Sequence, residues 1–473
     1  MAKARANILS GEERDRLHEQ TLAVLDDVGV AFNSVAAVDL LAAAGAPVDR
    51  ERLVARIPAS LIERCLDLAP AQVLLAARDP AHDVLVGEAG LTFTSDGTAT
   101  YVIDDETGAR TEGTADDLRT IMRLFDALPN VDYVWPTISA RDLDPVTANL
   151  EIEAISFRSC VKHVQDEVRS PEYVPPLLEM IAAVADASPR ERPLFSAIDC
   201  TVAPLGHDPA MTEAGIALAR AGVPIVIMPM PLMGTTAPLS VAATTVMTMA
   251  ELLSGVVLFQ LAAPGCPLIA SPEPGAADLR TGAYLCGAPE ADLCALAAVE
   301  MCQRYGLPVQ GPGFGGDAKA PDYQEGAEGV AAALQAAMLG ADSLVGIGTL
   351  DGAQATSLAK IVLDDDAAGL VRRLVAETPF GAGEALLEDI REVGPGGHFL
   401  GRRSTRERAR TESLWQPRVF RRESFTAHAG GSLVDDALAR ARELLAGHEI
   451  PPLSGDVERE IDQVIAAHRR QFA

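Results

Sequence analysis

The chain has 473 residues, 48% of them hydrophobic and 22% charged, so it can bury a large core and is not a disordered polymer. A formal net charge of −28 excludes a basic nucleic-acid surface and disfavours docking on anionic membranes, leaving small molecules and other proteins as partners. Seven cysteines, an odd number scattered over a long chain, do not read as a disulfide framework, and no apolar stretch follows the basic first residues, so a cytoplasmic protein is expected.

Residues 10–69 read as helical. Ser10 and Glu13 make a capping-box pattern, Leu17, Leu22, Leu25 and Val28 recur at helical spacing, and Gly29 ends the run. Shorter helices fit Ser34–Ala44 and Pro58–Leu68. Residues 91–111 carry β-branched side chains and two turn signals, Asp96-Gly97 and Thr107-Gly108, which predict hairpins. Thr114 then caps a helix to Leu128, 131–135 reads as a strand and Pro145–Val168 as a helix. Strand and helix alternate from there: 194–199 and Pro209–Ala221, 224–230 and Pro238–Leu261, 267–271 and Pro289–Tyr305, 307–311 and Tyr323–Leu339, 343–348 and Ala355–Glu377. No charge occurs between Arg220 and Glu251 or between Glu251 and Glu273, but prolines interrupt both stretches, so they read as buried interior rather than membrane spans. The tail, 430–473, is helical on both sides of Pro451-Pro452.

One helix between successive strands is the rhythm of a parallel sheet. With at least six such units and no Gly-x-Gly-x-x-Gly opening an early helix, a TIM-type (β/α)8 barrel is favoured over an open doubly wound sheet. The expected organisation is an N-terminal helical and hairpin extension (1–113), the barrel (114–400) and a C-terminal helical tail (401–473). In a barrel the loops after the strands build the active site. Here these are SAIDCT, PMPLMGTT, ASPEPG, GPGFGGD and GIGTLDG, all rich in Gly, Pro and polar residues.

The Gly-rich run 311–319 is the strongest local signal, because glycines let backbone approach a ligand closely; it lacks the Gly-Lys-Ser/Thr of a nucleotide P-loop. Only four of the 39 basic residues are lysines, which marks internal Lys162 and Lys319 as point charges worth placing. His163 and His398 read first as structural hydrogen bonders. Cys286, Cys294 and Cys302 lack the spacing of a zinc site and read as small buried thiols, so no metal is expected. Asp364, Asp365 and Asp366 could hold a cation but read better as a solvated helix turn. Aromatic residues make up 4% of the chain, so a cation-binding cage would draw on Trp135, Phe314, Tyr323, Tyr284, Phe399 and Trp415.

Several segments together resemble the trimethylamine methyltransferase family, in particular its branch without pyrrolysine, which includes glycine betaine–corrinoid methyltransferases. They are 9–32 (LSGEERDRLHEQTLAVLDDVGVAF), 77–87 (ARDPAHDVLVG), 116–134, 220–240, 278–283 (DLRTGA), 307–326 and 394–401 (GPGGHFLG), in family order over nearly the whole chain. The resemblance implies a TIM-type barrel that moves a methyl group from a methylated amine to the cobalt of a separate corrinoid protein, with no tightly bound cofactor of its own. Pyrrolysine-containing relatives place that residue in or near the loop matching 311–317, where this chain has only Gly, Pro, Phe and Asp. Acidic Glu273 and added Tyr323 depart from the family pattern.

What the resemblance implies for the site is an in-line attack of Co(I) on a quaternary amine, glycine betaine or a similar betaine. Because positive charge disappears in that reaction, a mainly apolar or aromatic seat with few anions is expected. The substrate-binding candidates are Gly313, Phe314, Asp317, Tyr323, Lys162, His163, His398 and Trp135, with Lys162, His163, His398 or backbone N–H groups of the Gly-rich loop as donors to a betaine carboxylate. Gly311, Gly315 and Gly316 are placed on the corrinoid-facing loop. A bulky residue at 313 is expected to block the site without unfolding the barrel, and trimethylamine, which has a poor leaving group, to be rejected. The competing readings are a non-catalytic amine-binding or regulatory homologue, and a methyltransferase using another methylamine or a free corrinoid or folate acceptor. A homo-oligomer is compatible with the sequence.

Overall fold

From Thr92 to Val375, eight barrel strands alternate with eight α-helices, with short extra strands in the connections. The computed structural model describes residues 6–87, 90–377, 384–411, 414–427 and 430–472. The strands are β1 (Thr92–Ser95), β2 (133–134), β3 (Val164–Glu167), β4 (Phe195–Cys200), β5 (Ile225–Met228), β6 (Leu268–Ala270), β7 (Gln310–Gly311) and β8 (Ser343–Ile347). The helices are α1 (Ala115–Ala127), α2 (Ala148–Ser159), α3 (Val174–Ala185), α4 (Pro209–Ala221), α5 (Val241–Ala262), α6 (Pro289–Arg304), α7 (Tyr323–Leu339) and α8 (Leu358–Val375).

Each strand pairs in parallel with the next. The junctions β1–β2, β2–β3 and β6–β7 are single bridges, Thr94 with Tyr133, Val134 with Val164 and Ala270 with Val309. The remaining steps are ladders, and β8 returns to β1 through Ser343 with Thr92 and Leu344 with Phe93. The pairing therefore closes on itself, which makes the sheet a (β/α)8 barrel. One end is stopped by an antiparallel hairpin, Val73–Leu75 with Val84–Val86, whose Val73, Leu75, Val84 and Val86 join Tyr133, Trp135, Ile198, Val226 and Ile269 in one apolar cluster.

Helix termini follow local chemistry. Ser10 and Glu13 form the expected capping box, and Gly29 stands at φ 81 where the first helical run stops. Thr114 and Asp117 cap α1 the same way. Helix α5 is apolar and long enough to cross a membrane, but 78% of its apolar window is buried between barrel and neighbouring helices.

Four expectations need correction. Residues 10–69 are not all helical, because Val30–Ala31, Val48–Asp49 and Val54–Ala55 pair as a small antiparallel sheet between the helices. Residues 145–168 are not one helix: α2 ends at Ser159, Cys160 turns extended, and Val164–Glu167 is strand β3. Buried polar Gln165 and Asp166 hide that strand from a hydrophobic pattern. Residues 91–111 are not all hairpin, because Thr92–Ser95 is a barrel strand and only Tyr101–Ile103 with Arg110–Glu112 forms the antiparallel pair. The closed sheet thus begins before residue 114. Finally, Ala355–Thr356 is a short strand, and Ser357 caps α8 after it.

Candidate active site

The strand ends converge on a cavity of about 240 Å³. Asp96 follows β1, Trp135 follows β2, Glu167 ends β3, Cys200 ends β4, and Met228 with Met230 lies at the end of β5. Glu273 follows β6, Gly313 and Gly315 follow β7, Val345 and Gly346 lie in β8, and Asp292 enters from α6. All five loops singled out in the sequence contribute. Tyr284 covers one side from a strand paired with Gly275–Ala277, its ring lying close to Gly275 and Gly352.

The loop after β7 sits directly on β8. Phe314 N–H donates to Val345 O at 2.9 Å. A Cβ on Gly313 would stand 1.9 Å from that same carbonyl oxygen, and one on Gly346 (φ 101) would stand 2.5 Å from Gly315 N. Both positions need glycine because two backbones meet there. A bulky residue at 313 therefore has to lift the loop off the barrel, which corrects the expectation of a blocked but intact site.

From behind, fully buried Lys360 donates to Phe314 O at 3.0 Å and pairs with Glu325 and, at 2.5 Å, with Asp364. Asp364 also accepts Gly348 N–H. The Asp364–Asp366 run is thus buried, not solvated: Asp365 accepts Asn130 N–H, and Asp366 accepts the backbone N–H groups of Arg418, Val419 and Phe420. Trp135 is held at the cavity wall by its indole N–H, which donates to Asp166 at 2.9 Å.

The cavity is acidic. Asp96, Glu167, Glu273 and Asp292 line it, whereas none of its lining residues is Lys, Arg or His. Burial pushes Asp96 up to about 7 against the opposing pull of the Gly97 N–H, Thr349 and Lys360. Burial, with the nearby charges of Glu328 and Asp317, lifts Asp292 to about 7. Burial also drives Glu273 well above the carboxylate range, helped by Asp96 and Asp292. Its Oε1 is buried without a hydrogen-bond partner. This is not the anion-poor seat expected from the sequence.

Of the candidate residues, the cavity gathers Trp135, Gly313 and Gly315. Phe314 turns away, packing against Phe93 at 6.0 Å, and Tyr323 is 91% exposed at the start of α7. Asp317 shapes the loop by accepting Cys286 N–H, and Gly316 lies against Glu328. Gly311 lies close to Val299 and Ala341. Lys162 is buried at the C-terminus of α1, where it donates to the carbonyls of Phe125 and Leu128. His163 lies before β3, against the carbonyls of Ala76 and Pro193 and 2.9 Å from Ser196 Oγ, and burial lowers it to about 4. His398 is exposed beyond the barrel. None of these three reaches the cavity. Phe399 and Trp415 also lie outside it, whereas Tyr284 lines it.

Asp96, Glu167, Asp292, Cys200 and the two methionines were missed by sequence reasoning. Asp96 read as a turn residue and Glu167 as part of a helix. Their common signal is position at or just beyond a strand's C-terminal end, legible only once β1 and β3 are assigned.

A closed parallel barrel with a cavity lined from every strand end defines a protein of the TIM-barrel class. The family model described as Trimethylamine methyltransferase (MTTB) matches residues 2–473, so the chain belongs to that family and is a methyltransferase. Trimethylamine methyltransferase MttB of Methanosarcina barkeri (strain Fusaro / DSM 804) is 28% identical over 477 residues, covering 98% of this chain and 96% of that protein. Glycine betaine methyltransferase of Desulfitobacterium hafniense (strain Y51) is 26% identical over 471 residues, covering 98% of each. The crystal structure of Methanosarcina barkeri monomethylamine methyltransferase (MtmB) superposes with a TM-score of 0.55 over 99% of this chain and 88% of that one, at 10% identity, which speaks to fold alone.

Proposed function

We propose that this enzyme moves a methyl group from a quaternary amine to the Co(I) of a separate corrinoid protein. The observation that supports this reading is a small chamber at the strand ends whose wall combines Trp135, Tyr284, two methionines and four carboxyl groups, a lining suited to a methylated cation. The relatives named for trimethylamine and glycine betaine make a methylated amine the natural donor.

The chemistry asks little covalent work of the protein. The C–N bond breaks and its electrons stay on nitrogen, so a neutral tertiary amine leaves; the Co(I) electron pair forms the new bond to carbon, and no proton moves. The chain's part is to hold the cation, point one methyl outward and keep water away. Exposed Val202, Leu239 and Leu279, on loops after β4, β5 and β6, offer apolar surface at the end from which the acceptor approaches. Loop 311–317 contains no electrophile with which to activate a tertiary amine, so trimethylamine is not a donor. Mixing the protein with reduced corrinoid and a panel of methylated amines, and following methylation of the corrinoid by its absorbance, tests this. Turnover of trimethylamine alone overturns it.

A further inference from the structure

We propose that the cavity selects a quaternary ammonium whose remaining substituent carries a hydrogen-bond donor and no anion, a hydroxylated or dicationic amine, and excludes betaines. This rests on reading the cavity as the methyl-donor site. A betaine brings a carboxylate a few ångströms from its nitrogen, and that carboxylate needs a cation or a set of donors. Lys, Arg and His are absent from the lining, and nearby lysines are committed elsewhere: Lys360 to Glu325 and Asp364, Lys319 to Asp351, Lys162 to helix carbonyls. Asp96, Glu167, Glu273 and Asp292 surround the space instead. A fifth carboxylate there works against ionisation of carboxyl groups that burial already holds toward the protonated form, whereas a cation favours their ionised form.

The second observation is Glu273 Oε1, a buried acceptor with no hydrogen-bond partner among the described residues, on a side chain that lines the cavity. Buried acceptors are usually satisfied, and a donor on the ligand would supply the partner that this oxygen lacks. A hydroxyl or ammonium two or three bonds from the quaternary nitrogen supplies it; the fourth methyl of tetramethylammonium does not.

Calorimetric titration of the full chain with choline, tetramethylammonium and glycine betaine tests the inference independently of turnover. Choline is expected to bind about tenfold or more tightly than glycine betaine, with tetramethylammonium between them. Glu273→Gln is expected to bring choline and tetramethylammonium to within about threefold of each other. A thermal melt confirms that the variant folds; if it does not, Asp96→Asn is expected to narrow the gap between choline and glycine betaine. Betaine binding equal to or tighter than choline, or no heat with millimolar choline, overturns the inference. If the binding order holds but no corrinoid is methylated by any amine, the methyl-transfer reading fails and the selectivity stands. If glycine betaine is the better ligand and is turned over, the selectivity fails and methyl transfer stands.

Discussion

Asp96 shows how burial at a strand end becomes a measurable titration. Its folded value, about 7, lies above that of an unfolded aspartate, so its contribution to stability is complete below about pH 4 and is lost as pH rises through 7. Asp96→Asn is expected to flatten the decline in Tm of the ligand-free protein between about pH 5 and 8, measured by thermal unfolding at each pH. An unchanged slope contradicts the assignment. In the same window the wild-type cavity gains negative charge, so quaternary-amine affinity rises with pH. Trp135 belongs to this scale as well. Trp135→Leu should weaken quaternary-amine binding by about 2- to 30-fold, the equivalent of a cation–π contact, as read by titration calorimetry. It also strips Asp166 of its indole donor.

Among the elements, the loop after β7 and helix α8 act together. Lys360 projects from α8, neutralises Glu325 of α7 and holds the Phe314 carbonyl, so one buried cation joins two helices to the loop. Replacing it by Met leaves two buried carboxylates without their counter-charge and should cost roughly 3–5 kcal/mol in denaturant unfolding. A loss below about 1 kcal/mol would show that the carboxyl groups protonate freely. Gly313→Val forces a side chain against the Val345 carbonyl, so a lower Tm by about 1–3 kcal/mol of destabilisation is expected together with lost activity. Wild-type stability with lost activity alone would return to the simpler picture of a plugged site.

At the scale of the molecule, the C-terminal helices complete the barrel's outer layer. Leu433–Gly447 packs on α8, and Gly455–Phe472 packs on α3, with Arg158 of α2 bridging to Glu458 and Asp462. Ala437, Leu438, Ala441, Ile461 and Val464 are buried there. Ending the chain at residue 429 uncovers the apolar surfaces of α3 and α8, and should give a protein that binds a hydrophobic dye and is cleaved rapidly by protease. A truncated chain as protease-resistant as the full one would show the tail to be dispensable.

The alternation of apolar runs with amphipathic helices was enough to indicate the parallel barrel, because each βα unit is built from contacts near in sequence. Helix starts at Ser10 and Thr114 were legible for the same reason: a cap is a matter of four consecutive residues. The resemblance of scattered segments in fixed order identified the family, and three of the candidates it suggested, Trp135, Gly313 and Gly315, line the cavity. Strands β1 and β3 were not legible, since Asp96-Gly97 looks like a hairpin turn and Gln165 and Asp166 are polar residues inside a barrel. Nor could the sequence tell that Lys162 serves the scaffold, or that Phe314 faces away from the cavity while Gly313 lines it. Above all, Asp96, Glu167, Glu273 and Asp292 are up to 196 residues apart, and only closure of the eight-stranded ring brings their charges into one chamber. Charge acts through space, so the sign of the site is a property of the barrel's geometry and not of any one motif.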